Sequence, residues 1–284
     1  MNGTGRCSSR EIADALRERI RAGELRTGDR LPTQAELAES YGAERGAVRQ
    51  ALRILQREGL LGNVSRGRPP NVAAPRRDAE EPRPAAVALP ERVRQACEVP
   101  HARIDALCFT AETLMEAMHS VRLHVQEGRV RPESLRVRCL LSDPDITPAF
   151  PVPVDGDGAK AAEIHRALAG QQASQAEVLD LTMRHLRSSH GIDARITFRL
   201  LPFTPPVKVY VLNGREALLG HYRVGRHTKH LPSGEAEVYD AWGKQSPLFR
   251  FARDTGGRDA AFVEQSQIWF DALWATIAVE STLT

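Results

Sequence analysis

Apolar residues recur along the first quarter of the chain at the spacing of short amphipathic helices. Ile12, Leu16 and Ile20 repeat every four residues between Ser8 and Gly23, and Leu37 and Tyr41 do the same ahead of Gly42. A third stretch, from about Glu44 to Glu58, carries Val48 and Leu52 along one row and closes at Gly59. A period between three and four residues sets one face of each segment on a core. The start signals agree. Ser8 with Glu11, and Thr33 with Glu36, have the spacing at which two side chains reciprocally satisfy backbone N–H groups of a first helical turn. Leu60 and Leu61 then open a short strand, "NVSRGRPP" makes a tight basic turn, and Val72 begins the return strand.

Beyond this point the pattern changes twice. Residues 75–100 are proline-rich with mixed charge and read as a linker, with a helix around 90–98. From about 103 strands and helices alternate. "RIDALCFTA" and "SLRVRCLL" read as strands flanking a helix with Leu114, Met118 and Val121 in register, and a long helical region follows from about Lys160 to Ser188. Strands are then expected at "ARITFRLLP", "VKVYVL", "EALLGHYRV" and "EAEVYD". A final helix should carry Phe262, Ile268, Trp269, Leu273 and Ile277 on one side. The expected protein is a multi-domain α/β one: a small helical and hairpin unit over 1–74, a linker over 75–100, and a mixed α/β sheet domain over 101–284.

Composition narrows the function classes. With 42% apolar and 26% charged residues the chain reads as soluble and globular, and no apolar run approaches the ~18 residues of a membrane span. The amino terminus has no apolar signal core, so no export and a cytoplasmic location are expected. Cys7, Cys97, Cys108 and Cys139 have no paired or metal-ligand spacing, which fits a reducing compartment. The net charge of +3 is unevenly placed: residues 1–72 hold 13 Arg against 9 acidic residues, and the remainder is slightly acidic. The excess suits a polyanionic partner on the first unit.

Three short helices and a hairpin within about 65 residues have the layout of a winged helix-turn-helix, whose third helix enters the DNA major groove. That helix carries Arg45, Arg49 and Arg53 at strict four-residue spacing. Such a row is otherwise a solvated helix face; its place on the recognition helix decides for DNA. Arg45 and Arg49 fall where base edges are in reach, Arg53 meets a phosphate, and Arg66, Gly67 and Arg68 form a wing tip for a backbone or minor groove. Thr33, at the start of the second helix, is counted with the DNA contacts. The stretch "IADALRERIRAGELRTGDRLPTQAELAESYGAERGAVRQALRILQREGLL" resembles the DNA-binding domain of GntR-type bacterial repressors almost end to end. The resemblance implies a dimeric repressor acting on an inverted-repeat operator at the bacterial nucleoid. Glu44 stands where that family usually has Ser, and Ala47 where it often has Thr, which would lower operator affinity or alter its preference.

The later part is similar, over about 103–225, to phospholipase D-like domains. "PVKVYVLNGREALLG" follows their signature strand, with Pro206 at the histidine position, Lys208 at the lysine and Asn213 at the aspartate. Proline supplies no nucleophile, so a regulatory domain rather than an enzyme is expected, and no cofactor. Lys208, Asn213, His221 and Arg223 are the candidates for an anionic small-molecule effector. His227 and His230 could bind a metal only on a helix, and that region reads as strand then basic loop, so no metal is assigned. The aromatic residues Trp242, Phe249, Phe251, Trp269, Phe270 and Trp274 read as core. A second unit that only dimerises or docks a protein partner, without a small molecule, is the alternative.

Overall fold

A computed structural model of the chain describes residues 7–26, 28–58, 60–62, 69–72 and 81–281. They fall into two compact units, Met1–Glu80 and Glu81–Thr284.

The first unit contains α1 (Ser9–Arg21), α2 (Gln34–Ser40), α3 (Arg45–Arg57) and the short antiparallel strands β1 (Leu61–Gly62) and β2 (Asn71–Val72). Both expected capping boxes form. The Ser8 and Thr33 hydroxyls accept the backbone N–H of Glu11 and Glu36, whose carboxylates accept the N–H of Ser8 and Thr33 in return. The apolar rows converge as the period requires: Ile12, Leu16, Leu37, Val48, Leu52 and Leu55 are buried against one another, with Leu61 and Val72 closing the cluster. Each such side chain contributes roughly 1.5–3 kcal/mol on burial. Residues 28–31 run beside β2, where the Gly28 N–H donates to Val72 O and the Leu31 N–H to Pro70 O. The wing tip, with Arg66, Gly67 and Arg68, lies outside the described residues.

The second unit opens with β3 (Arg83–Pro84) and α4 (Ala85–Ala96), followed by β4 (His101–Leu107), α5 (Glu112–Gln126), β5 (Ser134–Ser142), β6 (Val152–Pro153) and the 33-residue α6 (Gly158–His190). Next come β7 (Asp193–Leu201), β8 (Val207–Leu212), β9 (Glu216–His221), β10 (Arg223–Leu231), β11 (Gly234–Trp242) and β12 (Pro247–Ala252). α7 (Gly257–Ala272) ends in a π-helical turn, Leu273–Ile277, before β13 (Val279–Glu280). An eight-stranded mixed sheet runs β13-β7-β5-β4-β8-β9-β12-β3, with β7, β5 and β4 parallel and the other pairs antiparallel. β10, β11 and β6 form a separate antiparallel sheet.

Alternation along the strands divides the large sheet into two unequal faces. Ala102, Ile104, Leu135, Val137, Cys139, Ala194 and Tyr210 belong to one core with α4, α5 and α6. Leu107, Leu140, Leu201, Val209 and Val211 belong to another with Val263, Phe270 and Leu273 of α7 and its π turn. Gly191 ends α6 in the left-handed conformation that glycine adopts without strain. Among the described residues no helix is long and apolar enough to cross a membrane.

Four expectations are corrected. Residues 81–100 are not a linker: α4 buries Leu89 and Val93 in the second unit's core, and β3 pairs with β12. The segment 223–231 is a full strand paired with β11, not a strand running into a loop. Of the five residues expected on one side of the last helix, Leu273 is buried and Phe262 packs partly buried on the core. Ile268 (53% exposed), Trp269 (42%) and Ile277 (48%) face outward, and Val263 and Phe270 are buried instead. Of the six aromatic residues read as core, Phe270 is buried and Phe251 and Trp274 pack partly buried against the same cluster, whereas Trp242, Phe249 and Trp269 are exposed.

Candidate nucleic-acid interface

The first unit presents α3 through a tight turn. α2 ends at Tyr41, Gly42 takes a left-handed φ of +56°, and Glu44 in extended backbone starts α3. Glu44 makes no side-chain cap bond to α3, so the amino-terminal N–H groups of that helix lack the hydroxyl partner that Thr33 supplies to α2. The helix is seated by Val48, Ala51, Leu52 and Leu55, all fully buried. Arg45, Arg49 and Arg53 stand on the exposed side with Gln50 and Gln56.

The arginines of this unit are used in different ways. Arg17 is bound to Glu58 by Nε and Nη2 at 2.8–3.1 Å and also pairs with Asp14, which joins α1 to the end of α3. Arg19 Nε lies 3.2 Å from Glu24 Oε2. Arg45 and Arg49 have no ion-pair or hydrogen-bond partner among the described residues. Their guanidinium groups keep all their donors for a partner, and the fork geometry matches both phosphate and the O6/N7 edge of guanine. Thr33 is exposed, and its hydroxyl donates to Glu36 Oε2 at 2.9 Å, a bond that donation to phosphate would replace while both backbone bonds of the capping box stayed in place. That box holds the Glu36 carboxyl below its usual range, chiefly through the Thr33 backbone N–H.

The four residues expected to form an anion site in the second unit do not converge. Lys208 is 2% exposed on β8, the fifth strand of the sheet, on the face covered by α4, α5 and α6. Its ammonium donates to Gly243 O at 2.7 Å and Thr113 Oγ1 at 3.3 Å and lies 5.2 Å from the centre of the Tyr222 ring. Burial pulls its pKa down to about 8, against the opposing pull of Cys108, Glu112 and Glu116. Asn213 follows the far end of β8 in a left-handed turn, where its amide accepts from Arg103 N–H and donates to Ala96 O. His221 comes after Gly220, the register partner of Lys208, and so points to the other face of the sheet. Arg223 begins the separate sheet, opposite Trp242. Pro206 precedes β8 and is exposed.

His227 and His230 are three apart on β10 and therefore project from opposite faces. His227 Nε2 lies 3.7 Å from Asp240 Oδ2, which also takes Lys229 Nζ at 2.8 Å. Among the described residues no group of three or more His, Cys, Asp or Glu is placed to hold a metal ion.

Three helices, a glycine turn, an apolar seat under α3 and a hairpin make the first unit a winged helix-turn-helix. Residues 8–68 match the family model of bacterial regulatory proteins, gntR family, and this unit is a GntR-family DNA-binding domain. The chain is 47% identical over 55 residues to the mannosyl-D-glycerate transport/metabolism system repressor MngR of Escherichia coli strain K12, covering 19% of this chain and 23% of that protein. It is 33% identical over 139 residues to the histidine utilization repressor of Klebsiella aerogenes, covering 46% of this chain and 56% of that one. The chain thus spans about a quarter and about half of these two relatives. Among solved structures, YtrA from Sulfolobus acidocaldarius, a GntR-family transcription factor, matches at 34% identity over 26% of this chain and 73% of its own, with a TM-score of 0.22.

Proposed function

We propose that the chain is a sequence-specific DNA-binding transcription regulator. It acts as a homodimer on an inverted-repeat operator, and its second unit receives an effector or a protein partner. The observation that carries this reading is the pair Arg45 and Arg49, exposed on a helix seated by a buried apolar row and without partners among the described residues. One recognition helix reads one half-site, so an inverted repeat calls for a second copy. Repression is favoured over activation because both named relatives are repressors. Arg66, Gly67 and Arg68 take the wing contacts and Arg53 a phosphate in this reading. An effector acts by preferring one spacing of the two recognition helices over another. Catalysis is not proposed, because Pro206 offers no nucleophile where a phosphodiesterase of the similar type needs one.

Titration of a labelled duplex at several salt concentrations tests the electrostatic part. Binding should weaken steeply with salt, and Arg53→Ala should weaken it on all sequences while reducing the log–log slope by about one. Binding insensitive to salt would contradict the reading.

A further inference from the structure

The least-covered part of the large sheet carries a row of arginines in direct register. Arg103 of β4 sits opposite Arg136 of β5, which sits opposite Arg195 of β7. Like charges placed directly across neighbouring strands destabilise a sheet. The next rows add Arg138, opposite Asp105, and Arg199, opposite Leu140. α7 and its π turn bury Leu107 and Leu140 and reach over Asp105 and Arg138 through Gln267, Phe270, Asp271 and Trp274, which leaves the row of Arg103, Arg136 and Arg195 the most open. The five arginines and Trp274 line an open groove of about 700 Å³.

The carboxylates here fix the guanidinium groups. Buried Asp105 receives Arg138 through two bonds of 2.7 and 2.9 Å, Arg103 at 2.8 Å and the Gln267 amide at 2.9 Å. Asp271 bridges Arg103 and Arg138, and Asp193 is shared by Arg136 and Arg195. Arg199 donates to Trp274 O and lies over its ring. With Glu280 in the wall, five cations face four carboxylates. A guanidinium offers five N–H donors, so the pairs leave donors over. The side chains of Arg103, Arg136 and Arg195 remain 45%, 43% and 70% exposed.

We infer that this groove binds a small ligand bearing two or more oxyanion groups, phosphate or carboxylate. Strands lie about 4.8 Å apart, so the three-arginine row spans roughly 10 Å, which suits two separated anionic groups better than one. Asp193, Asp271 and Glu280 stand among the cations and would repel an extended nucleic-acid backbone, which favours a compact ligand. The site lies wholly within the second unit, and its binding stands independently of the DNA-binding reading.

Isothermal titration calorimetry of the full chain at low salt tests this, with pyrophosphate and citrate as separate probes. At least one should bind at a single site per chain, with affinity reduced at least tenfold in Arg136→Gln/Arg195→Gln and unchanged in Arg184→Gln on the remote surface of α6. Binding of pyrophosphate alone makes the ligand phosphate-bearing; citrate alone makes it a polycarboxylate. The single variant Arg195→Gln, at the most exposed of the three, serves if the double variant does not fold. Neither probe binding, or equal affinity in the groove variant, would overturn the assignment. So would binding of a DNA oligonucleotide through these arginines when neither small anion binds.

Discussion

Arginine is the commonest charged residue on the candidate surface of each unit, yet the two sets are held differently. On α3, Arg45 and Arg49 rise from an apolar seat into solvent with no fixed partner among the described residues. On the large sheet, Arg103, Arg136 and Arg138 are gripped by Asp105, Asp193 and Asp271. A guanidinium on a mobile stem can settle on a phosphate or a base edge as the duplex requires. One clamped by carboxylates presents its donors in one arrangement and suits one shape of ligand. The spacing of arginines along a chain therefore says little until the acids opposite them are placed.

That contrast can be broken most forcefully at Asp105. Asp105→Ala removes the two-bond partner of Arg138 and leaves it only Asp271, and should cost about 1.5–3 kcal/mol in chemical denaturation. A loss within experimental error would show that the sheet's arginines are not clamped. At the other pole, Arg45→Ala should cost about 1–3 kcal/mol of operator binding and relax the preference at one base position while leaving the melting temperature unchanged. Equal losses on operator and random duplex would make Arg45 a phosphate contact instead.

Lys208 supplies a buried cation without a carboxylate in hydrogen-bond contact. Its folded pKa, about 8, lies below the unfolded value of 10.5. Between these values the unfolded chain binds the extra proton, so stability rises with pH; below both, the full cost of burial is present. Relative to Lys208→Met, the natural chain should gain about 2 kcal/mol from pH 8 to pH 10. Urea melts of both proteins across that range measure the difference, and parallel curves would mean that Lys208 is not desolvated. The smallest effect is expected at Thr33→Ala, which removes one half of a capping box and should cost about 1 kcal/mol of first-unit stability. A loss of DNA affinity beyond what the melt explains would give Thr33 a direct contact as well.

The first unit could be read from its sequence because its signals are local. The apolar rows, both capping boxes and the hairpin pairing Leu61 with Val72 all lie within a few residues of the elements they define. Glu44, which stands where the resembled family usually has Ser, makes no cap bond to α3. In the second unit, alternation revealed the strands but not their order. β4 pairs with β8, about a hundred residues away, and only that pairing places Lys208 in mid-sheet under helices rather than at a solvated edge. α7 misled for a related reason. It is apolar on both sides, so its period selects no face, and packing on Leu107 and Leu140 chose Val263 and Phe270 over Ile268 and Trp269. The arginine row had a signal, the alternate arginines of "RVR" in β5, but its meaning depended on register with Arg103 and Arg195.

The central claim is that α3 reads a DNA sequence. Selection of bound duplexes from a random pool, at near-physiological salt and with folded full-length chain, tests it most directly. The account predicts recovery of a short inverted repeat, whose preference at one position in each half relaxes with Arg45→Ala. Recovery of no sequence above background would contradict it.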